Sequence, residues 1–131
     1  MSYIGDTINT SATIAERAGA QIEDGAGRAV KFDSNGDVVL CSTSGEPALG
    51  LLIAQTPDNV ELGDIVTVQI KDVGLWVSGG SFGKGTLLAN DSQGRAVTAA
   101  SNGFITAIAL ESSSGAGQFV KVQLIKSGYK L

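Results

Sequence analysis

Any chemistry in this chain has to be done without histidine, which is absent from its 131 residues. That removes the commonest general base, the Ser–His and Cys–His nucleophile pairs, and the commonest metal ligand. The single cysteine, Cys41, ends the apolar run Val38-Val39-Leu40. Nothing beside it in sequence lowers a thiol pKa, so it reads as a buried, inert thiol. Gly79-Gly80-Ser81-Phe82-Gly83-Lys84-Gly85 looks like a phosphate loop but fails at two positions. Ser78 stands where the first Gly of that motif belongs, and Gly85 where its Ser or Thr belongs. No helical pattern follows to offer an N-terminus to a phosphate. The stretch reads as a hairpin loop, longer than its counterpart Asp24-Gly25-Ala26. Asp33-Ser34-Asn35-Gly36-Asp37 hints at a calcium loop but lacks the distal bidentate Glu and the flanking helices. Asp91-Ser92-Gln93-Gly94-Arg95 puts a cation where a ligand is needed. Glu23-Asp24 and Glu61 with Asp64 flank Gly-rich turns, where carboxylates are simply solvated. The chain therefore reads as non-enzymatic, with no catalytic residue, no metal site and no cofactor.

The elements around these residues are strands. Apolar residues make up 43% but aromatics only 5%, so a core must rest on Val, Ile, Leu and Ala. Gly numbers 18 and Pro 2, which suits short strands joined by tight turns. Val66, Val68 and Ile70 alternate with Thr67, Gln69 and Lys71, and Val120, Val122 and Leu124 alternate with Lys121 and Gln123. Period two means a strand with one face buried. Asn35-Gly36 between two apolar runs predicts a hairpin with a type I′ turn, which needs φ > 0 twice. Strands are predicted at 19–23, 29–33, 37–42, 49–55, 65–71, 74–78, 86–90, 95–100, 104–110 and 118–126. Thr13 with Glu16 could cap a short helical turn at 13–18.

Blocks of the first half recur, in order, in the second. Gly19-Ala20-Gln21-Ile22 is similar to Gly74-Leu75-Trp76-Val77, and Asp33-Ser34-Asn35-Gly36 to Asp91-Ser92-Gln93-Gly94. Gly45 falls opposite Gly103, and 49–54 opposite 105–110. Gly63 to Ile70 falls opposite Gly117 to Leu124. The predicted architecture is all-β, a compact barrel or sandwich of two diverged copies, 19–70 and 74–124, in a β domain over 19–131. Residues 1–18 match nothing in the repeat and read as an extended N-terminal arm carrying Tyr3, Ile4 and Ile8.

Met-Ser-Tyr-Ile-Gly-Asp lacks the basic start and apolar run of a signal peptide, and no stretch approaches the ~18 apolar residues of a membrane span. The expectation is a soluble protein made in a cytoplasm, with no membrane partner. Net charge is −4 and the nine Lys and Arg are scattered, which argues against nucleic acid. The charge is lopsided. Residues 19–70 hold eight acidic and two basic side chains, a balance of −6, whereas 74–124 hold two and three, a balance of +1. Apolar bulk leans the other way. If Ile22 and Val77 point inward, Gln21 and Trp76 point outward. Phe104 stands where the first copy has Glu46, and Phe82 lies in the longer loop. Trp76, Phe82 and Phe104, with Tyr3, Ile4 and Ile8 of the arm, are the candidate protein-interface residues.

The runs Gly45 to Leu51, Gly63 to Val68, Gly74 to Val77, Gly85 to Leu88 with Asp91 and Gly94, and Val120 to Leu124 make a familiar pattern. It resembles the small capsid decoration proteins of tailed bacteriophages, the β-rich family also called capsid cement or head-fibre proteins. The resemblance spans roughly residues 18–126, and its motifs are short. The second copy departs from the pattern where Thr106 replaces Gly50. The resemblance implies a virion protein, made in the host cytoplasm, that binds the major capsid protein on the outer capsid surface. It implies a homotrimer that stabilises the expanded shell, with an N-terminal arm lying along the lattice. Another virion part (tail, baseplate or fibre module) or a small β-rich binding module is the alternative.

Overall fold

The structure, a computed structural model, describes residues 11–53 and 58–131. The all-β expectation holds: the described residues form strands and turns, with no helix among them. In chain order the strands are β1 (Thr13–Arg17), β2 (Ile22–Glu23), β3 (Ala29–Phe32), β4 (Val38–Leu40), β5 (Gly50–Leu52), β6 (Asn59–Val60) and β7 (Ile65–Gln69). They continue as β8 (Asp72–Val77), β9 (Ser81–Phe82), β10 (Leu87–Asn90), β11 (Ala96–Thr98), β12 (Phe104–Ala109), β13 (Ser113–Ser114) and β14 (Phe119–Tyr129).

The alternation read from the sequence decides which side chains are covered. Val66 and Val68 of β7 are buried, as are Val120, Val122 and Leu124 of β14; Phe119, Lys121 and Gln123 between them are exposed. The β3–β4 connection differs from the predicted type I′ turn. Asp33 Oδ1 accepts the N–H groups of Asn35 and Asp37, both at 2.9 Å, and Gly36 N–H donates to Asp33 O at 3.1 Å. Held by that carboxylate, the turn needs φ > 0 at one residue only, and Gly36 supplies it with φ +81°. Asp91 repeats the device, accepting from Gln93 N–H (2.8 Å) and Arg95 N–H (2.9 Å) with Gly94 at φ +73°.

Two antiparallel five-stranded sheets result, in the orders β1-β7-β5-β3-β4 and β8-β14-β12-β10-β11. Strand for strand, the second order is the first shifted by seven. Two short ladders, β2-β6 and β9-β13, accompany them. Each sheet curls until its edges meet: Ala18, just after β1, bridges Val38 of β4, and Ser78, just after β8, bridges Ala96 of β11. The bonds that close the edges also match, Gly19 N–H to Val38 O at 2.8 Å and Gly79 N–H to Ala96 O at 2.7 Å. Inside the first sheet lie Ala18, Ile22, Val30, Val38, Leu52, Val60, Val66 and Val68. A second core joins the sheets: Ala29, Cys41, Ala48 and Leu51 from the first half meet Trp76, Phe82, Leu88, Val120 and Val122 from the second.

Three sequence expectations are corrected here. Thr13 to Arg17 is not a helical turn, because it pairs along β7 from Thr13 with Gln69 to Arg17 with Ile65. The block Gly19 to Ile22 does not sit like Gly74 to Val77. Gly19 occupies the place of Gly79, and β8 that of β1. Gly50 pairs with Val30 where Ala107 pairs with Leu88, so Ala107 rather than Thr106 stands at the Gly50 position.

Candidate interaction surfaces

The residues that could have done chemistry are engaged in holding the fold. Cys41 is fully buried, and desolvation, with the neighbouring Glu46 charge, pushes its thiol pKa up to about 12 against a smaller opposing effect of Lys31. A thiol held protonated is no nucleophile at neutral pH. Burial alone would raise the Glu46 pKa, but hydrogen bonds hold it below the ordinary value. Lys31 Nζ donates to it at 2.7 Å, and the N–H groups of Thr43 and Ser42 donate at 2.6 and 2.8 Å. Gly79 of the phosphate-like loop serves a close approach. A Cβ there would lie 2.5 Å from Asp91 Oδ2, just as a Cβ on Gly19 would lie 2.5 Å from Asp33 Oδ2. Asp33 and Asp91 spend their carboxylates on turn N–H groups, and Asp37 pairs with Arg17 at 2.6 Å. Among the described residues no group of three or more Cys, Asp and Glu is arranged to hold a metal.

The interface residues expected from the sequence are placed differently. Trp76 does not point outward; it is 0% exposed, and its Nε1–H donates to Gly94 O at 2.9 Å. It pairs with Val120, so β8 turns Trp76 to the inter-sheet core and Val73, Leu75 and Val77 to the other face. Val77 is buried as expected, but its burial does not send Trp76 outward, because β8 is covered on both faces here. The Val77 N–H donates to Gly27 O at 2.9 Å, at the junction with the first half. Phe82 is no loop residue. It lies in β9, opposite Ser113, and is buried in the inter-sheet core. Phe104 is half-buried and edge-on to Tyr129, with ring centroids 5.4 Å apart. Tyr3, Ile4 and Ile8 lie outside the described residues.

Other apolar side chains are on the surface. Ile65 is 70% exposed, Leu62 64% and Phe32 45%, all in the first half. Val73, Leu75, Leu87, Phe119 and Ile125 are exposed in the second. Ile65, Phe119 and Ile125 were legible in the sequence, as apolar residues at outward-parity positions of a half-buried strand.

A model of the phage cement protein family matches residues 4–124. The chain belongs to that family. It is similar in fold to the crystal structure of the head fiber gp8.5 N base in bacteriophage phi29, at a TM-score of 0.66 and 16% identity. The likeness covers 91% of this chain and 98% of that one. No curated protein matches the sequence. Cement-family membership makes the chain a structural, phage-head-associated virion protein.

Proposed function

We propose that the chain decorates the outer surface of a phage head, binding the major capsid protein as a homotrimer and stabilising the expanded shell. Cement-family membership across residues 4–124 carries this reading. Decoration needs no reaction. Many copies clamp adjacent capsid subunits, and each contact raises the effective concentration of the next. Binding only the expanded lattice stabilises that state by mass action. The matching strand orders of the two sheets support a further part of the reading, that the halves are diverged copies of one unit.

The test is co-sedimentation with expanded, undecorated heads of the source phage, with unexpanded heads as control. Saturable binding to expanded heads alone, together with greater heat resistance of those heads, is the expected result. Absence of binding to either kind of head overturns the reading. The likeness to a head-fibre base supports a second reading, in which the chain seats a fibre on the head. Electron microscopy of the decorated heads separates the two, since a fibre base carries a projecting fibre and a cement protein does not.

A further inference from the structure

The junction between the two halves has two unlike sides. The first half offers residues 27–29 and 43. Gly27 O accepts from Val77 N–H (2.9 Å), and Ala29 N–H donates to Gly94 O (2.8 Å). Arg28 Nη1 donates to Gln93 O (2.7 Å), and Thr43 O accepts from Asn90 Nδ2 (2.9 Å). The second half offers the ends of β8 and β14 and the 91–95 turn. The Phe119 ring lies against Gly27, 2.6 Å from where a Cβ would stand.

Because the two sheets share strand order and the register of their matching pairs, each side of this junction has an equivalent on the opposite half. Gly27 N–H donates to Leu52 O as Gly85 N–H does to Ala109 O, so Gly85 stands for Gly27. Ala29 pairs with Leu51 as Leu87 pairs with Ile108, so Leu87 stands for Ala29. Arg17 pairs with Ile65 as Val77 pairs with Phe119, and Phe32 with Val38 as Asn90 with Ala96. Gly36 stands for Gly94. These equivalents are open. Leu87, Ile65 and Phe32 are among the exposed large apolar residues, and a Cβ at Gly85 or Gly36 would meet nothing within 4 Å. The counterparts of Leu87 and Phe32, Ala29 and Asn90, are fully buried, and that of Ile65, Phe119, is 49% exposed with its ring against Gly27.

We infer that a second copy of this chain docks head to tail, repeating the internal junction. The surface of one copy around Gly85 and Leu87 receives the surface of the next around Ile65, Phe32 and Gly36. Charge favours this direction. Residues 19–70 carry −6, whereas 74–131 hold Lys84, Arg95, Lys121, Lys126 and Lys130 against Asp91 and Glu111, a balance of +3. Head-to-tail contact brings unlike halves together, while pairing two first halves sets like charge against like. Such a heterologous contact uses a different patch on each partner and closes into a ring or runs on as a filament. The inference rests on the self-association in the reading above and not on capsid binding.

The experiment is light scattering on purified protein, wild type and two variants, with far-UV circular dichroism to verify the fold. The wild type is expected at a multiple of its 13.3 kDa chain mass, and Ile65→Asp and Leu87→Asp each at the single-chain mass. A one-to-one mixture of the two variants is expected at twice the single-chain mass, because each retains the side the other has lost. Phe32→Ser probes the same side as Ile65 should Ile65→Asp fail to fold. The inference is overturned if the wild type stays a single chain up to about 1 mM, the effective concentration a shared scaffold can supply. It is equally overturned if the folded variants assemble like the wild type, or if their mixture stays at the single-chain mass. Head binding by monomeric variants would leave the decoration reading standing on its own.

Discussion

Replacing Trp76 with Gln separates two pictures of this molecule. With Trp76 on the surface the change would leave the monomer intact. The structure buries the ring completely between the two sheets, with Nε1–H on Gly94 O at 2.9 Å. Removing a buried Trp costs about 3–5 kcal/mol in lost burial and residual cavity. The Gln amide, set among Val120, Leu88 and Ala29, adds about 1–3 kcal/mol wherever it lacks a partner. Gly94 O is not orphaned, since Ala29 N–H still donates to it at 2.8 Å, so little is added on that side. The sum, about 4–8 kcal/mol, is a large share of the ~5–15 kcal/mol that holds a domain of ordinary stability. At roughly 3–5 °C per kcal/mol for a chain of this size, the melting temperature falls by about 12–40 °C. Scanning calorimetry measures it, and Trp76→Phe, which keeps an aromatic ring, is expected to lose less than half as much. Trp76 is the only tryptophan, so acrylamide quenching of native fluorescence reports its burial directly. A Trp76→Gln protein melting within about 2 °C of wild type, or free quenching in the native state, refutes the reasoning.

Cys41 should resist thiol reagents in the native protein at pH 8 and react at the rate of unfolding, as a colorimetric thiol assay can follow. Its folded pKa, about 12, lies above the ordinary 9.0, so between those values the unfolded chain releases the proton first. Stability should therefore be unaffected by this group below pH 9 and fall as pH rises from 9 to 12, seen as a falling urea midpoint. Glu46 acts in the opposite direction. Its pKa is lowered by Lys31 and two backbone donors, so its contribution is present above pH 4.5 and is lost as pH falls through the folded value. Glu46→Ala should cost about 1–2 kcal/mol at pH 7 by chemical denaturation, since two N–H groups and Lys31 lose an acceptor, and much less at pH 3. Gly79→Ala should cost about 1–3 kcal/mol by driving a methyl against Asp91 Oδ2, whereas Gly80→Ala, with nothing within 4 Å, should be close to neutral in a thermal melt.

Much of the fold was legible because strand parity and turn chemistry are local. The alternation in 66–70 and 120–124 reports which side chains share a face, and Asp33 and Asp91 mark their turns three residues before a Gly. The missing histidine and the motif failures were also readable, since they need no coordinates. Parity cannot say which of two apolar faces is the covered one. In β8 both alternatives, Gly74 with Trp76 and Val73 with Leu75 and Val77, are apolar, and only the second sheet's contact with the first selects Trp76 for the core. The wrong choice there moved Trp76 to the surface in the sequence reading.

The pairing of blocks shows the same division. Gly-led runs recur so often in this chain that Gly19 could be matched to Gly74 by likeness alone. What selects Gly79 instead is long-range: the bond from Gly79 N–H to Ala96 O, and the carboxylate of Asp91 pressed against a position with no room for a Cβ. Thr13 to Arg17 carries a cap-like Thr and Glu, yet the open edge of β7 offers a ladder of hydrogen bonds that a single helical turn cannot match. By itself the sequence determined the all-β class and the strand parities, because these follow from residue type and nearest neighbours. Tertiary structure alone decided which faces meet, which glycines correspond, and that Phe32 and Leu87 remain outside, because burial depends on what the rest of the chain brings up against each face.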